Sequence, residues 1–240
     1  MSEKPAQDPP APAISIRISH VIPVLGIFSA LLIAGGLFAN LGAFWMDAPS
    51  ALMTSIFNAF QLDNEGNIPT WYSSMLLAIN GFFLLLLGAA TRRAQLPDGR
   101  YWSVLGGIFL VLSLDETASI HEHIGLIVSR FTDGSGTVPF GWTLVAMPLM
   151  ILLAAIYLRA LFRLPRRACW LIVTSGLLYV GGAMGFEILG WIFQSFWPGW
   201  SPSYMMLTFT EETLEFSGQT LFAYTLLGLL RQRGAHFAFT

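Results

Sequence analysis

Three short stretches set ionisable groups inside long apolar segments: LSLDETASIHEHIG, GFEILG and TFTEETLEFSGQ. They hold Asp115, Glu116, His121, Glu122 and His123, then Glu187, then Glu211, Glu212 and Glu215. A carboxylate facing hydrocarbon costs several kcal/mol, so such groups pair, share protons or line a wet cavity. Carboxylates gathered around an imidazole suit two kinds of chemistry. They hold a hard or borderline divalent ion, or they move protons.

Helical geometry brings each set onto one face. At about 100° per residue, Asp115, Glu116, Ser119, Glu122 and His123 share an arc of about 120°, and His121 points away from it. Tyr204, Thr208, Glu211, Glu212, Glu215 and Gln219 share an arc of about 100°. Glu187 lies on one face with Ala183, Gly190, Trp191 and Gln194. At a rise of about 1.5 Å per residue, Asp115 is about 21 Å from Tyr101, Glu187 about 25 Å from Trp170 and Glu211 about 13 Å from Pro202. The three stripes overlap in one layer, between mid-membrane and one interface, and avoid lipid by facing one another.

Seven carboxylates (Asp115, Glu116, Glu122, Glu187, Glu211, Glu212, Glu215) have one well-placed histidine and no lysine or arginine in the same layer. Protons or bound cations must offset that charge. Read as a metal centre, the ligands are Glu116, His123, Glu187, Glu211 and Glu215. Asp115 or Glu212 is then the general base, and the ion is Zn, Mn, Fe, Mg or Ca. His121 reads as an interfacial residue, Glu122 as solvated, and Glu65 as a loop residue near the mouth. A polar network that ties three helices together is the alternative. Gly181 and Gly185 form a GxxxG beside Glu187, and Gly106 and Gly107 thin the third span; both read as packing.

Elements that position these residues follow from hydropathy. Crossing the hydrocarbon takes about 20 apolar residues. Six segments qualify, roughly 20–45, 71–91, 101–127, 139–163, 168–196 and 203–230, which predicts an all-α, polytopic helical bundle. Residues 46–70 carry Met53, Ile56, Phe57 and Phe60 at helical spacing, which fits either a short interfacial helix or a plain loop. Arg92, Arg93, Arg100, Arg159, Arg163, Arg166, Arg167, Arg231 and Arg233, with Lys4 and Arg17, all fall at one end of the spans, against Arg130 at the other. The positive-inside rule then puts both termini in the cytoplasm, with Trp71, Tyr72, Trp197, Trp200 and Tyr204 in the outer aromatic belt. The Pro/Ala-rich stretch 1–19 reads as a disordered tail, 20–230 as the membrane domain and 231–240 as a second tail. The first apolar run reads as an uncleaved span.

Composition agrees. Only 11% of the 240 residues are charged and 55% are hydrophobic, whereas a soluble domain carries about 25% charged residues. A net charge of -2 excludes a basic nucleic-acid face. The single cysteine, Cys169, excludes an internal disulfide and a CxxC motif. The lipid bilayer is the partner the composition demands.

LDNEGNIPTWYSS, LSLDETASIHE, GFEILG and EETLEFSG together resemble an uncharacterised family of bacterial multi-pass membrane proteins. The resemblance implies the same fold and a bacterial inner-membrane location, and no activity. A looser likeness to membrane hydrolases of the alkaline-ceramidase type stops short of their paired HxxxH and multiple histidines. Three functions are therefore expected from these residues. The first is a metal-dependent hydrolase of a lipid-like substrate, working from the outer side. A proton- or cation-coupled transporter and a non-catalytic subunit with a structural ion are the alternatives.

Overall fold

A computed structural model describes residues 14–15, 18–62, 64–132, 141–199, 201–233 and 238–239. Most of the N-terminal tail, part of the loop expected at 128–138 and Trp200 lie outside the described residues. The chain is a helical bundle: α1 (Ile18–Trp45), α2 (Ala51–Phe60), α3 (Ile68–Arg93), α4 (Gly99–Ala118), α5 (Ile120–Thr132), α6 (Gly141–Leu161), α7 (Arg166–Val180), α8 (Glu187–Phe196) and α9 (Pro202–Gln232). A π-helical turn, Gly181–Phe186, joins α7 to α8. The one extended pairing described sets Ile14–Ser15 against Ala238–Phe239.

Among the described residues four helices are long and apolar enough to cross a membrane: His20–Trp45, Ile68–Arg93, Gly141–Leu161 and Arg166–Phe196. Gly99–Ala118 of α4 and Ile120–Val128 of α5 together pass the same test and meet at 79°, the geometry of a broken span or of a re-entrant loop. The continuous third span expected from hydropathy is thus broken. Its break is Ser119, whose φ of 52° lies in the left-handed region and cannot continue a right-handed helix. The 46–70 connection does contain a helix, α2, which Ser50 caps through the Met53 amide.

The 31-residue α9 spans about 46 Å, yet its carboxylates keep it from qualifying on composition. Packing explains how it tolerates them. α9 is the hub of the bundle, in contact with α1, α3, α7, the π turn and α8, so neighbouring helices cover its polar face. Close approach is bought by small residues. A Cβ on Gly218 would lie 2.7 Å from the Tyr179 amide nitrogen, and one on Gly106 2.9 Å from the Gly81 carbonyl oxygen. Gly181, Gly185 and Gly107 face open space instead, and the packing expected of them falls to Gly182, Gly218 and Gly106.

The arginines at or beside the ends of α3, α4, α6, α7 and α9 gather at one end, and Arg130, in the last turn of α5, stands apart from them. Arg163 donates to Asp98 at 2.6 Å, Arg92 to the Gly99 carbonyl at 3.1 Å and Arg233 to Thr91 at 3.2 Å. Just inside this basic end lies an apolar plug of Leu84, Leu87, Trp102, Phe222, Leu226 and Leu230, all buried. At the periphery, α6 exposes Leu144, Leu149, Ile151, Leu152, Ile156 and Leu158, a surface that only hydrocarbon would solvate.

Candidate functional site

The site begins at the break. The left-handed turn at Ser119 folds α5 back so that His121 lies over Asp115. Asp115 Oδ1 accepts the His121 backbone amide at 2.7 Å, and Oδ2 lies 3.2 Å from His121 Nδ1. On the ring's far side, Nε2 is 3.4 Å from Glu65 Oε1, in the loop before α3. Trp142 of α6 packs edge-on against the imidazole, 5.2 Å between centroids. Glu65, Asp115, His121 and Trp142 thus join the loop, α4, α5 and α6 at the end opposite the arginines. Burial holds the Glu65 carboxyl above the usual carboxylate range, the nearby Glu122 adds to this, and the His121 ring opposes it.

Behind this gate the remaining acids converge. Glu116 takes a hydrogen bond from the Ser73 hydroxyl, which in turn accepts from Gln219 Nε2 at 3.1 Å. Glu215 is buried, and Glu212, Glu116, Glu211 and Glu187 are all near enough to act on it electrostatically. Gly182, in the π turn, gives it room: a Cβ there would stand 2.9 Å from Glu215 Cγ. Near the end of α7, just before the π turn, Tyr179 lies within electrostatic reach of Glu215, Glu116, Asp115 and Glu212. Asn80 donates to the Gln219 carbonyl at 3.0 Å, one step deeper. Asp115 and Glu116 of the first expected stripe thus join Glu187 and the α9 acids, while Glu122 and His123 of that stripe are exposed.

Two placements correct the sequence reading. His123 is exposed, its Nδ1 turned onto the Ser119 carbonyl at 2.7 Å, away from the acids it was expected to join. His121, expected to point away, holds the centre. A wheel assumes one continuous helix, and Ser119 rotates everything after it. Tyr179 and Ser73 were missed because a tyrosine or serine inside a span carries no charge to flag it.

The described residues do not make a preformed metal centre. Among them no group of three or more His, Cys, Asp or Glu is arranged to hold an ion. Both His121 ring nitrogens already face carboxylates, so neither is turned toward a shared metal position.

The fold and site define a class: an α-helical membrane protein with a carboxylate compartment in one half of its thickness. The chain belongs to the family described as Domain of unknown function (DUF8692), which it matches over residues 24–229. No curated protein and no solved structure matches it.

Proposed function

We propose that this is a six-span bacterial inner-membrane protein whose outward-opening compartment performs acid–base chemistry on an amphiphile, with hydrolysis the reaction. The carrying observation is the relay Asp115–His121–Glu65 at the compartment mouth. Asp115 on Nδ1 orients the imidazole and steadies its charged form, leaving Nε2 to exchange a proton with Glu65 or with a water beside it. Glu116, Glu187, Glu211, Glu212 and Glu215 form the acidic wall behind, where Glu212 stays in reach as a second base. In this reading α4 with α5 is the third span and α9 the sixth, and the arginine-rich end is cytoplasmic. The apolar plug below Asn80 supports one-sided access.

A panel of lipids in proteoliposomes, followed by mass spectrometry of the products, tests the reading. Wild type should turn over one lipid class, and His121→Ala should lose at least about 100-fold of that rate, the usual scale for a general acid–base group. Turnover of no lipid, or an undiminished variant, sinks it. Metal content measured on the same samples decides whether a divalent ion joins the carboxylates.

A second reading, proton-coupled transport, draws on one observation. The polar chain continues inward from Ser73 through Gln219 to Asn80, and Asn80 Oδ1 and Gln219 Oε1 are buried without a partner among the described residues. Proton flux into the same liposomes separates the two.

A further inference from the structure

A groove of about 710 Å³ opens beside the gate, lined by Asn58, Asn64, Glu65, Gly66, Asn67 and Trp71 among others. It sits where the end of α2 meets the start of α3. Trp71 is 61% exposed there, an aromatic plane left open on the wall. Glu65 reaches from this wall to His121, so the groove and the compartment share one carboxylate.

The groove's chemistry is one-sided. Asn64 spends an amide N–H on Gln61 Oε1 at 3.0 Å, and Asn67 donates to the Gln61 carbonyl. Among the described residues no lysine or arginine lines it. The wall therefore offers an aromatic face and a carboxylate, with one amide donor each of Asn64 and Asn67 turned to Gln61. Glu122, Glu116 and Asp115 act on Glu65 from nearby and add to the negative field, which the His121 ring opposes. A phosphate or sulfate would meet repulsion. An ammonium would meet a carboxylate and an aromatic face together, a pairing that holds primary and quaternary amines through cation–π attraction.

We propose that this groove binds the ammonium group of an amphiphile, stacked on Trp71 and paired with Glu65. It deepens the proposed function by naming the substrate's polar end, and rests on that reading only for the substrate role. Bound there, the cation sits beside the carboxylate that faces His121, and the apolar tail is left to the bilayer.

Calorimetric titration of the full chain in nanodiscs tests this, with hexyltrimethylammonium, hexyl phosphate, hexyl glucoside and tetramethylammonium as probes. Hexyltrimethylammonium should bind at least tenfold more tightly than the phosphate and the glucoside. Trp71→Ala and Glu65→Gln should each weaken it about tenfold, with Trp71→Phe close to wild type and the distant exposed Trp45→Ala unchanged. Tetramethylammonium binding as tightly as the hexyl compound also supports the site, and assigns it to soluble amines. Equal affinity for the three hexyl headgroups overturns it, as does a Trp71→Ala chain that folds and binds normally. Binding with no lipid turnover leaves the groove standing and sinks the enzyme, and turnover without ammonium preference does the reverse.

Discussion

Asp115 holds two groups at once, the His121 amide through Oδ1 and the His121 ring through Oδ2. The first contact caps the start of α5, where backbone N–H groups have no partner within the helix. The second sets the imidazole's tautomer. Substitution separates the two. Asp115→Ala removes both and should cost about 1 kcal/mol of stability, the usual loss of a side-chain cap. Asp115→Asn keeps an oxygen for the cap and should melt near wild type while losing the turnover that depends on His121. Thermal unfolding in detergent beside the lipid assay checks this, and equal melting of both variants would show that the cap contributes nothing. His121 is the clearest case of a residue hidden from sequence reading. Its neighbours in LSLDETASIHEHIG are plain, yet its direction depends on one serine's φ.

Helix contacts decide how closely the acids approach. The Gly218 position faces backbone, with Tyr179 N at 2.7 Å and Ser175 O at 2.8 Å from a built Cβ, and backbone does not yield as a side chain tip does. Gly218→Ala should part α9 from α7, at a cost of about 1–3 kcal/mol by overpacking. Gly181→Ala and Gly107→Ala point into open space and should leave the melting temperature unchanged or slightly raised. Melting curves of the three variants check it, and an unharmed Gly218→Ala would mean the α7–α9 contact is loose. The element most open to misreading was the span from 168 to 196. A π turn within it adds a residue per turn, so Glu187 and Gly182 share the compartment while Gly181 and Gly185 turn outward.

Across the whole molecule, polarity is divided by depth. Acids and the groove lie toward one end, the apolar plug and the arginines toward the other. α9 carries the largest share of carboxylates because the surrounding helices keep it from lipid. If the arginine-rich end is cytoplasmic, Gln232→Cys and Ser55→Cys, each in a Cys169→Ser background, should react with a membrane-impermeant maleimide from opposite sides. In intact cells Ser55→Cys should label and Gln232→Cys should label only after the inner membrane is opened. Labelling of both from the outside would overturn the six-span arrangement, since an even number of crossings would then lie between α2 and the end of α9, where six spans require five.

What the chain's residues determined alone was whatever follows from burial cost. Apolar runs too long for a soluble core set the membrane helices, and acids inside them had to converge, because the alternative is a carboxylate in hydrocarbon. Asp115, Glu116, Glu187, Glu211, Glu212 and Glu215 were legible for that reason. Tertiary structure decided the rest: His121 over His123, Tyr179 and Ser73 as members, Gly182 and Gly218 as the contacts. His121 over His123 follows from the departure from regular helix at Ser119, and Gly182 from the π turn, since a departure of one residue rotates every side chain beyond it. Ser73, Tyr179 and Gly218 lie on regular helices and were chosen by the packing between them. Periodicity carries no trace of such a turn, since packing against the neighbouring helices selects it.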